Sequence, residues 1–234
     1  MNVYPAWQYN EMTQVGVDFS DTKEIQTYDE KMQKFRDIRK ENEEILGYIN
    51  ASKNHIVVEF GTGTGEFAVE ASQHCSKIYA IDVSSSMIEF ARKKAEMKGR
   101  ENIEFHNAGF LTYEHIGEPV DVVVSQLALH HLPDFWKSIA LRRIYKMLKL
   151  NGKFFLKDVV YSFDTDNYND IFNNWVDKIK QVIGYGDTAE TTIREEYATL
   201  GWVMEGLIKK AGFHIDDISY REDFIAVYMC KKTK

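Results

Sequence analysis

The chain reads Val57-Val58-Glu59-Phe60-Gly61-Thr62-Gly63-Thr64-Gly65-Glu66-Phe67, in which a short apolar run leads into three alternate glycines and then into a helical pattern. Glycine permits a sharp turn and lets a bound molecule approach the backbone, because no Cβ stands in the way. In open α/β sheets, ligands bind outside the carboxyl ends of the strands, where such a turn lies. The stretch therefore predicts a ligand site built from a strand, a loop and a helix.

The spacing of the glycines argues against a dinucleotide site. The dinucleotide fingerprint requires a third glycine at position 66, where this chain has Glu66. A carboxylate at the start of the helix is a poor neighbour for a pyrophosphate, which binds helix N-termini as an anion. A nucleotide-binding oxidoreductase is therefore the disfavoured alternative.

A second chemical signal is Asp82, the last residue of the next apolar run, which begins at Lys77. A carboxylate at the tip of the second strand can accept hydrogen bonds from both hydroxyls of a ribose. The alternative role for Asp82 is to cap a helix or to lie in a solvated turn. Together with the glycines, Asp82 predicts a nucleoside-binding site.

Strand-like and helical patterns alternate through the chain, which predicts a doubly wound α/β sheet. Helical patterns cover Ser86–Lys98 and Pro133–Leu148, and only three residues separate the last two strands, which predicts an antiparallel hairpin. The predicted strands are Ile56–Phe60, Ile78–Asp82, Ile103–Phe105, Val120–Ser125, Lys153–Asp158, Phe213–Tyr220 and Phe224–Cys230.

Two segments lie outside this alternation and are predicted to cap the sheet. Residues 1–50 form a helical lid containing an amphipathic helix over 28–50, and the core over 51–234 carries a helical insertion at 161–205. Ordinary core packing is the alternative for both. The insertion is rich in aromatic residues, from which we predict an apolar acceptor pocket. They are Tyr161, Phe163, Tyr168, Phe172, Trp175, Tyr185, Tyr197 and Trp202.

Composition narrows the functional classes. The 234 residues include 29 Lys and Arg against 36 Asp and Glu, a net charge of −7 that disfavours nucleic acid as a partner. A basic cluster is expected on the solvated face of a helix; its members are Arg92, Lys93, Lys94, Lys98 and Arg100. We expect no membrane span, no export signal, no structural metal and, with Cys75 and Cys230 far apart, a cytoplasmic location.

These residues resemble the class I S-adenosylmethionine-dependent methyltransferases over about residues 50–160. Glu59 to Gly65 matches the acid-x-Gly-x-Gly-x-Gly motif of that family, and Asp82 matches its ribose-binding acid. The run Leu129–Leu132 resembles a subgroup that includes the ubiquinone/menaquinone C-methyltransferases, and Met147–Lys153 is similar to the turn before the family's fifth strand. The resemblance implies a Rossmann-like sheet of seven strands, S-adenosylmethionine as cofactor and S-adenosylhomocysteine as product.

The resemblance also implies a set of cofactor contacts. The glycine motif would pass beneath the methionine and ribose, Asp82 would hold the ribose hydroxyls, and Val83 and Met87 would flank the adenine. The full set is Glu59, Gly61, Thr62, Gly63, Gly65, Asp82, Val83, Met87, Asn107, Ala108, Gly109, Phe110, Gln126, Tyr28 and Arg36.

The chain departs from the family pattern after the third strand. The family usually has an aspartate there that reaches the adenine amino group, whereas this chain has Gly109. Adenine recognition is therefore expected from Asn107 or from backbone groups. Tyr28 and Arg36 precede the core, where related enzymes contact the cofactor's carboxylate; the alternative is that both are plain surface residues.

Methyl transfer requires an aligned acceptor and a dry site, and it needs a general base only if the acceptor must lose a proton. Candidates for that base are His130 and His131, which follow the fourth strand, and Asp158 at the end of the fifth. A packing role for the two histidines is the alternative.

The expected acceptor is a small, partly apolar molecule. The fourth strand lacks the Asn/Asp-Pro-Pro-Tyr/Phe motif of adenine-N6 and glutamine-amide methyltransferases. The alternatives are a methyltransferase acting on tRNA or protein and a non-catalytic S-adenosylmethionine-binding protein. The candidate assembly is a homodimer.

Overall fold

The computed structural model of the protein describes residues 5–13, 15–16, 28–30, 32–34, 36–183 and 187–234. Its strands are β1 (Ile56–Phe60), β2 (Lys77–Asp82), β3 (Ile103–Asn107), β4 (Val120–Gln126), β5 (Leu148–Tyr161), β6 (Thr199–Leu200), β7 (Phe213–Arg221) and β8 (Ile225–Lys232). Its helices are α1 (Ile38–Ile49), α2 (Glu66–Ala71), α3 (Ser85–Met97), α4 (Asp134–Met147), α5 (Tyr168–Ile183), α6 (Asp187–Glu195) and α7 (Gly201–Ala211), and 3₁₀ turns cover Leu129–His131 and Thr165–Asn167.

The strands form one mixed sheet in the order β3-β2-β1-β4-β5-β8-β7. Strands β1 to β5 run parallel, and β8 pairs antiparallel with both β5 and β7. The predicted doubly wound sheet with a C-terminal hairpin is therefore confirmed. The two-residue strand β6, which pairs with β5, was not predicted, because two residues carry no periodic pattern.

Both faces of the sheet are covered, as its continuous apolar strands require. Neighbouring residues of β1 show this directly: Val57 packs in one apolar cluster with Ile45 and Ile49 of α1, whereas Val58 packs in the other with Leu141 of α4. Both valines are 0% exposed. Strand order reverses between β2 and β4 on either side of β1, so a crevice opens at the carboxyl ends of these strands.

The helix predicted over residues 28–50 is interrupted. Residues 28–30 and 32–33 are helical, but 36 and 37 are not, and α1 begins at Ile38. The reason is local: the side chain of Asp37 accepts a hydrogen bond from Lys40 N at 3.1 Å and so caps a new helix. Phe35, which we expect on the apolar face of this helix, lies outside the described residues.

The aromatic residues of the insertion pack mainly on one another and on the hairpin. Tyr161, Phe163 and Phe172 surround Phe224, and the ring of Trp175 stacks on Phe224 at 4.5 Å between centroids. Trp202 is 74% exposed, and Tyr185 lies outside the described residues. None of the helices in the described ranges is long and apolar enough to cross a membrane.

Candidate active site

A cleft lies at the carboxyl ends of β1, β2 and β4 and encloses, with its open mouth, about 1300 Å³ of empty space. The sheet loops form one side. The N-terminal segment, by which we mean the described part of residues 5–36, contributes the other through Glu11, Thr13, Val15, Tyr28, Asp29, Met32 and Arg36. All of the expected cofactor contacts line this cleft except Gly65 and Asn107.

The three glycines of the loop serve different purposes. A Cβ on Gly61 would lie 2.3 Å from Ala128 Cβ, and one on Gly65 would lie 2.9 Å from Ala91 Cβ, so these two glycines permit close packing. Gly63 has no atom within 4 Å of its virtual Cβ, and its φ of +51° is left-handed. Gly63 is thus the glycine that leaves open space in the cleft for a bound molecule.

Glu59 braces the loop from within the protein. It is 2% exposed, and its Oε2 accepts a hydrogen bond from Thr62 Oγ1 at 2.6 Å. Burial raises the pKa of Glu59 to about 8, so the protonated form of this carboxyl group predominates at neutral pH. Its position beneath Thr62 supports the loop conformation.

Asp82 joins the end of β2 to the glycine loop. Its Oδ2 accepts from Gly63 N and its Oδ1 accepts from Ser84 N, both at 2.8 Å. Each carboxylate oxygen has a second acceptor position, so the group fits two ribose hydroxyls. Asn107 instead braces this turn, since its Nδ2 donates to the carbonyls of Asp82 and Val83 at 3.0 and 2.9 Å.

The N-terminal segment is tied to the glycine loop through Asp29. Its two carboxylate oxygens accept hydrogen bonds from Thr64 Oγ1 and Lys94 Nζ, both at 2.6 Å, and Lys94 also pairs with Glu66 at 2.5 Å. Arg92, Lys93 and Lys98 of the basic cluster are exposed, as expected. Lys94 is the exception, because its side chain is 11% exposed and bridges two acids. We missed Asp29 because nothing in its neighbourhood marks a partner 35 residues away.

Arg36 and Gln126 meet at the end of β4. The guanidinium of Arg36 donates to Glu41 Oε2 through Nε at 2.9 Å and Nη2 at 2.6 Å, and Nη2 lies 3.4 Å from Gln126 Oε1. Glu41 also pairs with Lys157. Burial lowers the pKa of Lys157 to about 8. This network fixes the guanidinium of Arg36 at the edge of the cleft, where it would pair with a carboxylate of a bound molecule.

The two candidate bases occupy different environments. His130 is buried, with Nδ1 2.5 Å from Asp158 Oδ1 and Nε2 3.3 Å from Glu196 Oε2. Burial alone would lower the pKa of His130, but the two carboxylates raise it to about 9. Burial and the neighbouring His130 lower the pKa of His131 to about 4. Of the pair, only His131 lines the cleft.

Glu196 is the residue of this cluster that we did not predict, because it follows α6 with no pattern around it. Ligand-type atoms of His130, His131 and Glu196 lie within 4.8 Å of one another, a set of the kind that binds zinc. Both ring nitrogens of His130 already face carboxylates, however, so its charged form satisfies the cluster without a metal.

Comparison with known proteins bears directly on this cleft. A family model described as a methyltransferase domain matches residues 57–152. An uncharacterized methyltransferase of Bacillus velezensis is 30% identical over 171 residues, which cover 72% of this chain and 74% of that protein. One of Geobacillus kaustophilus is 29% identical over 189 residues, which cover 81% of each chain.

Solved structures share the fold. A SAM-dependent methyltransferase from Aquifex aeolicus aligns with a TM-score of 0.64 at 17% identity, over 91% of this chain and 98% of that one. The Gly63 opening and the doubly braced carboxylate of Asp82 fit the ribose end of the cofactor that such enzymes use. The chain therefore belongs to the class I methyltransferases, which use S-adenosylmethionine.

Proposed function

We propose that this protein transfers the methyl group of S-adenosylmethionine to a small, partly apolar acceptor, as a member of the subgroup that includes the ubiquinone/menaquinone C-methyltransferases. The observation that carries this proposal is the two-sided cleft, in which the N-terminal segment faces the sheet loops across the candidate site. A cleft lined from both sides suits a small molecule better than a polymer. The Leu129–Leu132 run supports the subgroup.

The charges of the cleft support the same acceptor class. Among the described lining residues, five side chains carry carboxyl groups and one, Arg36, carries a guanidinium. The five are Glu11, Asp29, Glu59, Glu66 and Asp82. Because Glu59 is mostly protonated at neutral pH, the negative charge rests on the other four acids. With a single guanidinium among the described lining residues, the cleft offers little to the phosphates of tRNA, which bind to lysine and arginine.

The bound cofactor supplies an electrophilic methyl group on its sulfonium, so the protein has little covalent chemistry of its own to perform. Its residues instead bind, orient and exclude water. Asp82 and Arg36 would hold the two polar ends of the cofactor, while Ala128, Leu132 and Met32 give the cleft an apolar lining. Holding acceptor and methyl in contact lowers the barrier by removing the entropy cost of their encounter.

His131 is the residue we assign to the acceptor's polar group. The ring of His131 is joined to the backbone of Val15 by a hydrogen bond, and His131 lines the cleft. A pKa of about 4 makes this imidazole a weak base. We therefore propose that His131 orients an acceptor hydroxyl or amine rather than removing a proton before transfer.

The test is a labelling experiment with three acceptor pools. Purified protein is incubated with methyl-labelled S-adenosylmethionine and, separately, with a small-molecule extract, bulk tRNA or lysate protein. We expect label in the lipophilic fraction of the first pool, and strongly reduced label with Asp82→Ala. Label in tRNA or protein alone would refute the small acceptor. Binding of S-adenosylhomocysteine with no labelled product in any pool would favour a non-catalytic binding protein.

Location and assembly are further parts of the proposal. Cys75 and Cys230 are both free and buried, which suits the reducing cytoplasm that we propose as the location. We also propose a homodimer, which light scattering on the purified protein would test; a monomeric mass at micromolar concentration would contradict it.

A further inference from the structure

Glu11 occupies the space that a side chain at position 109 would fill. A Cβ built on Gly109 would lie 2.4 Å from the carboxyl carbon of Glu11 and 2.5 Å from its Oε2. Glu11 is 7% exposed, and its Oε1 accepts a hydrogen bond from Leu111 N at 2.8 Å. The N-terminal segment thus brings a carboxyl group to the loop after β3, where the family usually has an aspartate and this chain has Gly109.

The second oxygen of Glu11, Oε2, is buried and accepts no hydrogen bond within the described part of the chain. A buried carboxylate oxygen without a donor is unfavourable, and such atoms in proteins commonly face a missing ligand or water. Glu11 lines the cleft beside Ala108, Gly109 and Phe110. The missing donor is therefore expected to come from a molecule in the cleft.

The position in the cleft identifies the donor. In the order of the strands, Gln126 lies at the end of β4, on one side of β1, and Asp82 lies at the end of β2, on the other. Val83 and Met87 follow Asp82 and line the cleft there, and Glu11 contacts the loop after β3, the strand beside β2. If Asp82 binds the ribose, the base lies toward Val83, Met87 and Glu11. Adenine carries an exocyclic amino group, a donor of two hydrogen bonds that lies at the edge of the ring.

We propose that Glu11 recognises the adenine of the cofactor, with Oε2 accepting a hydrogen bond from the exocyclic amino group. The inference rests on the cofactor and not on the identity of the acceptor. It replaces our expectation of Asn107, whose amide already donates to the carbonyls of Asp82 and Val83. Burial raises the pKa of Glu11, and this rise is opposed by hydrogen bonds from Thr112 and Leu111 and by the charge of Arg143, which donates to the carbonyls of Phe110 and Tyr113.

The test exchanges the hydrogen-bonding groups on both sides of this contact. Titration calorimetry measures binding of S-adenosylhomocysteine and of S-inosylhomocysteine, in which a carbonyl oxygen replaces the amino group. Wild type is expected to prefer the adenine ligand by about 10- to 100-fold, the range for a hydrogen bond to a charged group. In Glu11→Gln, the amide can donate to the inosine carbonyl, so we expect the preference to shrink by at least tenfold.

Two outcomes would overturn the proposal: an unchanged preference in Glu11→Gln, or an equal weakening of both ligands, which is what a purely structural role produces. The matched control is Glu118→Gln, which removes the same charge from an exposed residue. It should leave both affinities as in wild type.

A double variant moves the carboxylate to the neighbouring loop. Glu11→Ala vacates the space beside Gly109, so Glu11→Ala/Gly109→Asp should regain an adenine preference of at least tenfold that Glu11→Ala lacks. If Glu11→Gln does not fold, this pair decides the matter, and equal binding of the two ligands by the double variant counts against Glu11. Because every readout is cofactor binding, a failure to find a small acceptor would contradict the proposed function and leave this inference intact.

Discussion

Asp29 Oδ1 accepts a hydrogen bond of 2.6 Å from the hydroxyl of Thr64, which lies within the glycine loop 35 residues later in the chain. The other oxygen of Asp29 is held by Lys94, so the N-terminal segment is fixed to the cofactor side of the cleft at two points. The segment that carries Tyr28 and Arg36 into the cleft is thus bonded to the loop that it faces.

Asp29→Ala should weaken binding of S-adenosylhomocysteine while leaving the sheet intact. Losing charged, partly buried hydrogen bonds costs about 1–3 kcal/mol. Part of this loss should appear as weaker ligand binding, because the N-terminal segment is then held less firmly over the ligand. Calorimetry measures the affinity, and limited proteolysis near residue 30 should become faster. Exposed Glu30→Ala is the control, and equal affinities for the two variants would show that the bond to Thr64 has no part in binding.

Asp82→Ala should remove most of the cofactor affinity. We expect a loss of about 1–3 kcal/mol for S-adenosylhomocysteine, because two hydrogen bonds to a partly buried carboxylate disappear. NAD should bind neither protein. Asp177→Ala, on the exposed side of α5, serves as the charge-matched control. NAD binding by wild type, or full affinity in Asp82→Ala, would contradict the assignment of the ribose site.

Two alanine substitutions in the glycine loop should separate folding from binding. In Gly61→Ala, the new Cβ meets Ala128 Cβ at 2.3 Å, so overpacking of about 1–3 kcal/mol adds to about 1–2 kcal/mol of left-handed strain. Gly63→Ala has only the strain, since its Cβ would point into open space, but that methyl group should obstruct the cofactor. Urea unfolding should thus rank Gly61→Ala as the less stable, and the reverse order would refute this division of roles.

The buried cluster around His130 should make stability depend on pH. The pKa of His130 is raised from 6.5 to about 9 in the folded protein, so its stabilising effect is complete below pH 6.5 and is lost as the pH rises through about 9. The effect is at most on the order of 3 kcal/mol. We expect the difference in free energy of unfolding between wild type and His130→Gln to shrink between pH 6.5 and 9.5; a constant difference would show that His130 is neutral in the fold.

The lowered pKa of His131 predicts how turnover in the labelled-acceptor experiment depends on pH. Because its pKa is lowered to about 4, the ring stays neutral throughout the range from pH 6 to 8. Turnover should therefore show no loss in this range from protonation of His131, and His131→Ala should lower the rate without introducing one. A rate that rises with an apparent pKa near 7 and loses that dependence in His131→Ala would identify His131 as a true general base.

Local patterns in the amino-acid sequence determine the main strands of this protein and the centre of its cofactor site. A strand that runs into Gly61 and Gly63 needs left-handed backbone angles at fixed positions, and Asp82 ends the next strand, so both features are visible in short stretches of sequence. Apolar period and run length likewise predicted the seven main strands and their hairpin. These properties depend on neighbours within a few residues, which is why the sequence alone carries them.

Tertiary structure alone decided how distant polar groups meet. Glu11 reaches Leu111 across 100 residues, and His130 lies between Asp158 and Glu196, which belong to different elements. Tyr161, Phe163 and Phe172 of the insertion pack on one another and, with Trp175, on Phe224. None of the insertion's aromatic residues within the described ranges lines the cleft, where we expected them to form an acceptor pocket. No periodic pattern or fixed spacing in the sequence marks these contacts. The path of the whole chain, and not its local pattern, determines which side chains are buried together.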